Sequence, residues 1–124
     1  MLEIRRGDVV FVDLRGAVGN EKQGTRPCVV VQNDGGNRGS PLTIVAPLTD
    51  AEHQGKRYAQ QVFIRAADLG YEGKDSLVEC GHLREIDREA RIDERRGIWC
   101  HLSDELMADV DKALRASLGL PAQA

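Results

Sequence analysis

Aromatic side chains are scarce in this sequence: one Trp, two Tyr and two Phe, 4% of 124 residues. A surface that binds mainly by stacking bases on exposed rings is therefore excluded as its dominant mode. Cysteine is sparse and odd in number. Cys28, Cys80 and Cys100 cannot complete a disulfide framework, and the chain opens without the apolar core of an export signal. Cys28 and Cys80 stand in apolar, strand-like runs and read as small buried residues. Cys80, His82, Cys100 and His101 have a spacing that matches no structural zinc pair, so neither a metal nor a cofactor is expected. No window approaches the roughly 20 apolar residues of a membrane span. The cytoplasm is the expected location, without a membrane partner.

Positive charge is also lacking overall, since the net charge is −3. Its distribution is uneven, however. Residues 1–66 carry nine Lys/Arg and seven Asp/Glu, whereas residues 67–124 carry eight and thirteen. Screening confines each charge to about 8–10 Å, so a local cationic patch on a protein that is acidic elsewhere stays open. With 30% charged and 41% apolar residues, the chain reads as one globular domain over residues 1–120 with a short tail, 121–124.

Residues 7–14 (GDVVFVDL) predict a first strand, β-branched and aromatic. Residues 15–25 are a long polar loop with Gly16, Gly19 and Gly24, of the kind that often serves as a lid. Residues 26–33 and 42–49 are two strands of equal length around a loop of turn residues, 34–41. Antiparallel pairing about the loop centre gives partners whose numbers add to 75, which brings Arg26 opposite Thr49 at the open end. Arg26 precedes Pro27, which pushes it into extended backbone and fixes a permanent cation on stiff chain. Residues 50–59 form another polar loop, holding His53, Lys56 and Arg57. Strands are expected at 60–65, 75–80 and 82–86, with a brief crossing at 90–93. Ser103 is an N-cap ahead of Asp104 and Glu105, apolar residues recur at helical spacing from Leu106 to Leu118, and Gly119 with Pro121 ends the run. The expected class is α+β, mainly antiparallel, with a C-terminal helix.

In order along the chain, Arg6-Gly7-Asp8-Val9, Gly24-Thr25-Arg26-Pro27, Gln32-Asn33-Asp34, residues 44–49, Asp75-Ser76, Leu83-Arg84-Glu85-Ile86-Asp87 and Ser117-Leu118-Gly119-Leu120 resemble the MazF/PemK family of toxin endoribonucleases. The resemblance implies an SH3-like β-barrel with helices, shared with the gyrase poison CcdB. It further implies a homodimer that cuts single-stranded RNA without a metal and is neutralised by a cognate antitoxin. The family's catalytic Arg falls on Arg26 and its catalytic Thr on Thr49. Where many relatives carry an acidic residue followed by Gln, this chain has Gly81 and His82. That departure bears on which RNA sequence is read.

Metal-free RNA cleavage uses the ribose 2′-OH as an internal nucleophile, so the protein positions the phosphate, stabilises charge and moves protons. Arg26 suits the first two tasks through its bidentate fork and is ill suited to act as a base. The bland reading of Arg26 is a surface ion pair with Glu21. Thr49 would donate to a phosphate oxygen; otherwise it is β-branched filler or a cap. Glu21 and Lys22 are taken as RNA-contacting loop residues. His82 would stack on a base or protonate the leaving oxygen, or else is an ordinary strand histidine. His53 and His101 stand without an evident constellation. Arg15, Lys22, Arg38, Lys56 and Arg57 could rim one groove. Two alternatives to the nuclease remain on this fold: a gyrase-poisoning protein, and a non-catalytic RNA- or protein-binding barrel.

Overall fold

Among the residues described by the computed structural model (1–52, 57–70 and 73–122), seven strands and four helices alternate. They are β1 (Asp8–Asp13), β2 (Thr25–Val30), α1 (Asp34–Gly39), β3 (Leu42–Asp50), β4 (Gln61–Ile64), α2 (Ala66–Leu69), β5 (Ser76–Glu79), β6 (Arg84–Asp87), α3 (Arg88–Arg91), β7 (Ile98–His101) and α4 (Asp104–Leu118). The sheet runs β4-β5-β3-β2-β1-β7, with β6 also on β3, and every pairing is antiparallel. The result is a curled antiparallel sheet closed by a terminal helix, the α+β class expected. His53 and Lys56 lie outside the described residues.

The long strand β3 organises the sheet. Its first half pairs with β6, its middle with β2 and its last three residues with β5. Side chains alternate along a strand, and here both faces are used. Ala46 and Leu48 join Val9, Val29, Val62, Ile64 and Val78 in a core covered by Val110 and Ala113 of α4. Val45 joins Val10, Val12, Cys28, Val30, Ile86 and Ile92 in a second core on the other face. Fully burying one such Val is worth about 1.5–3 kcal/mol.

The β2–β3 register is Val30↔Val45, Val29↔Ala46 and Cys28↔Pro47, the constant sum of 75 read from the sequence. The ladder stops there, where Pro27 and Pro47 have no N–H to extend it, so the expected pairing of Arg26 with Thr49 is not formed and Thr49 pairs with Leu77 of β5 instead. Strand β2 begins at Thr25, so Arg26 and Pro27 lie within it and pair with Val12 and Phe11 of β1. Residues 34–41 are not a plain loop. Asn33 Oδ1 accepts from Gly36 N at 2.8 Å and caps α1. Buried Asn37 donates to Gln32 O and accepts from Thr43 Oγ1 at 2.7 Å. These side-chain bonds hold a helical turn that its three glycines would not favour. Of residues 90–93, Ala90 and Arg91 belong to α3 and Ile92 makes a single bridge to Val12. Strand β7 and helix α2 carry too little periodicity for sequence reading.

The Arg6-Gly7-Asp8 run has a local physical cause. Arg6 donates through Nε to Val31 O (2.9 Å) and through Nη2 to Asp111 on α4 (2.6 Å). Its backbone N–H donates to Asp34, lowering that carboxyl's pKa. Gly7 adopts φ +99°, and a Cβ there would stand 3.1 Å from His101 Cε1, so only glycine fits without strain. Asp8 is buried and accepts from Arg5 N and His101 Nδ1, each at 2.7 Å. His101, which seemed isolated in the sequence, therefore has a partner. Helix α4 begins as expected, with Ser103 accepting from Leu106 N, and ends on Gly119 at φ 68°.

Candidate functional site

A cleft of ≈ 170 Å³ opens beside Pro47 of β3, lined by Leu14, Glu21, Lys22, Pro47, His82, Leu83 and Arg84; Arg26 and Thr49 are not among its lining residues. The three residues assigned from sequence to substrate contact, Glu21, Lys22 and His82, thus share one cleft. They arrive from two segments: the loop after β1 and the turn before β6. Arg84 ties the segments together, donating from Nη1 to Leu14 O (2.7 Å) and from Nη2 to Arg15 O (3.1 Å). Arg91 of α3 adds bonds to Asp13 O and Arg15 O. The loop is anchored at its root while Lys22 and Glu21 reach the cleft.

Arg26 and Thr49 lie on the face of the sheet that carries Pro47. Opposed residues in an antiparallel pair share a face, so Arg26 follows Val12 and Cys28, and Thr49 follows Val45 and Pro47. Arg26 is half-buried and donates through Nε to Gln23 O at 2.9 Å. It forms no ion pair among the described residues: Glu21 instead accepts from Val18 N, and the surface pair with Arg26 is not made. Among the described residues both Nη groups of Arg26 keep their donors for another partner, in the fork geometry that suits a phosphate.

Thr49 Oγ1 donates to Glu79 Oε2 at 3.1 Å, so its proton points toward a carboxylate of the protein. Glu79 is only 5% exposed and also accepts from Gln61 Nε2 at 3.0 and 3.3 Å. Sequence reading missed Glu79, Gln61 and Arg84. The signal for Glu79 was present: a lone acid inside the apolar run of β5, which is seldom buried without partners.

Gly81 is crowded by a neighbour. A Cβ at Gly81 would meet Gln60 Cγ at 3.0 Å, so an acidic side chain there displaces Gln60, whereas His82 stays exposed on the cleft rim. The basic loop residues do not rim one groove. Arg38 lines a separate hollow with Met1, Glu3 and Arg88, Arg57 stacks 4.0 Å over Phe63, and Arg15 pairs with Asp13. The thiols of Cys28 and Cys80 are pushed up to about 12 by burial, which suits packing and not reactivity.

Comparison with known proteins adds a second line of observation. The model of the PemK-like, MazF-like toxins of type II toxin–antitoxin systems matches residues 5–118. The chain is 44% identical over 117 residues to Endoribonuclease EndoA of Bacillus subtilis (strain 168), covering 94% of this chain and 96% of that one. Among solved structures, MazF (Form-I) from Deinococcus radiodurans superposes with a TM-score of 0.76 at 23% identity, covering 97% and 100%. An endoribonuclease in complex with its cognate antitoxin from Mycobacterial species superposes with a TM-score of 0.75 at 20% identity, covering 97% and 99%.

Proposed function

Because the chain belongs to the PemK-like, MazF-like toxin family of type II toxin–antitoxin systems, we propose that it is an endoribonuclease with Arg26 and Thr49 at the reacting phosphate. The substrate is single-stranded RNA, cut at short sequences by attack of the ribose 2′-OH on the adjacent phosphorus. The products are a 2′,3′-cyclic phosphate and a 5′-hydroxyl, and no metal takes part. Arg26 grips the phosphate oxygens and balances their developing charge. Thr49 meets the reacting group beside it. Lys22, Glu21 and His82 contact the neighbouring nucleotides along the cleft.

One observation carries this reading. Pro47 lines the cleft with Lys22 and His82 and shares its sheet face with Arg26 and Thr49, which do not themselves line the cleft. A guanidinium fork with no ion pair among the described residues on that face suits a bent phosphodiester, whereas a gyrase poison needs no such group.

The chain works as a homodimer in the cytoplasm, and its partner protein is an antitoxin with an acidic, partly disordered segment that fills the RNA cleft. The likeness to a toxin solved with its cognate antitoxin supports that partner. Incubating the pure chain with a long RNA in EDTA and mapping the new 5′ ends tests the activity. Cuts at one recurring sequence with 5′-hydroxyl ends are expected; intact RNA would return the protein to the non-catalytic alternatives.

A further inference from the structure

The reaction needs a proton acceptor for the 2′-OH, and neither residue at the phosphate provides one. A guanidinium has no lone pair to offer and a hydroxyl is a poor base. Behind Thr49 lies a group that is suited. Glu79 Oε2 stands 3.1 Å from Thr49 Oγ1, and a carboxylate can only accept, so Thr49 must be the donor in that bond. A hydroxyl has one hydrogen. Its lone pairs are therefore what Thr49 keeps for a group bound beside it, which makes it an acceptor for the 2′-OH and not a donor to the phosphate.

We propose that Glu79 is a positioning residue that orients the Thr49 hydroxyl and takes up its proton as the 2′-OH is deprotonated. The inference rests on the assignment of Arg26 and Thr49 above and deepens it. The 2′-OH proton passes to Thr49 Oγ1 while the Thr49 proton moves to Glu79 Oε2. The freed 2′-oxygen bonds to phosphorus, the P–O5′ bond breaks, and the leaving 5′-oxygen takes a proton from water. Glu79 then returns its proton to the hydroxide formed, so no net charge remains.

Three features hold Glu79 for this role. It is 5% exposed, so bulk water does not compete for the carboxylate. Gln61 Nε2 lies within 3.0 and 3.3 Å of its two oxygens and fixes the plane. The His82 N–H donates to the Glu79 carbonyl at 3.1 Å, coupling its backbone to the cleft rim. The charged groups on that side include Arg26 from β2, Glu21 and Lys22 from the loop, His82 and Arg84 from the turn and β6, and Arg57, which stacks over Phe63 of β4 opposite Leu77. Gln61 is the group that reaches Glu79 from β4.

The test measures single-turnover cleavage of one RNA across pH for wild type, Glu79→Gln, Glu79→Asp and Arg26→Ala. Thermal melts establish that each variant is folded. Glu79→Gln keeps the shape and an acceptor but loses the base, so the rate should fall about a hundredfold with KM unchanged, and the acidic limb of the profile should flatten. Glu79→Asp, which restores a carboxylate at shorter reach, should recover part of the rate and the limb. On an RNA whose leaving oxygen is replaced by sulfur, which departs unprotonated, the Glu79→Gln defect should persist. Wild-type rate and profile in Glu79→Gln, or rescue by the sulfur leaving group, would overturn the inference. Unimpaired cutting by Arg26→Ala would instead overturn the assignment of the site itself.

Discussion

Asp8 Oδ1 and His101 Nδ1 lie 2.7 Å apart and fasten the first residue of β1 to the last residue of β7. The carboxylate is 1% exposed, so removing it leaves the Arg5 N–H and the imidazole without their acceptor. Asp8→Ala should cost about 2 kcal/mol in urea unfolding, the range for buried unsatisfied groups. His101→Ala in that background should add less than it does alone, because the partner is already gone. A cycle in which the two losses simply add would show that the contact contributes nothing.

Arg26 offers its two Nη groups to a phosphate while Nε is held by Gln23 O. Arg26→Ala should lower RNA cleavage by at least about a hundredfold, the cost of losing one preorganised charge donor. Arg26→Lys should recover little, since a point charge lacks the fork. The melting temperature should stay within a few degrees in both, because no ion pair among the described residues is lost.

Arg84 tests whether the loop at 15–24 must be held. Arg84→Ala removes the bonds to Leu14 O and Arg15 O and leaves those of Arg91 to Asp13 O and Arg15 O. KM for RNA should rise several-fold with kcat little changed, since Glu21 and Lys22 would be less well placed for binding. An effect on kcat alone would move Arg84 out of this role.

Burial sets the behaviour of the thiols. Cys28 and Cys80 should resist a thiol reagent at pH 8, and Cys100, also raised but only half-buried, should react first. The sign of the pH effect follows from the direction of the shift. The folded thiol of Cys28 lies at about 12 against an ordinary 9.0, so its stabilisation is complete below pH 9 and is lost as pH rises from there to about 12. The difference in urea midpoint between wild type and Cys28→Val should therefore shift against wild type across that window.

The hairpin and the C-terminal helix were legible because their signals are local. Equal strand lengths about a turn fixed the 28↔47 register, and Ser103 and Gly119 bounded α4. Helix α1 was hidden because its stability comes from Asn33, Asn37 and Thr43, which are adjacent only after folding. Glu79 was hidden for a related reason: a buried acid gains meaning from Thr49 and Gln61, thirty and eighteen residues away. The scatter of Arg15, Arg38 and Arg57 onto different surfaces could not be read either, since nothing in a loop's composition says which way it turns.

Strand β3 constrains how such a protein can change over time. Its even-numbered residues fill one core and its odd-numbered residues serve the other core and the reactive face. Inserting or deleting a single residue between Leu42 and Asp50 would exchange the two sets, forcing Ala46 and Leu48 out of the core under α4 and onto the face of Val45 and Pro47 while turning Thr49 inward. Natural variants should accordingly drift by substitution along this strand and by length only in the loops that flank it.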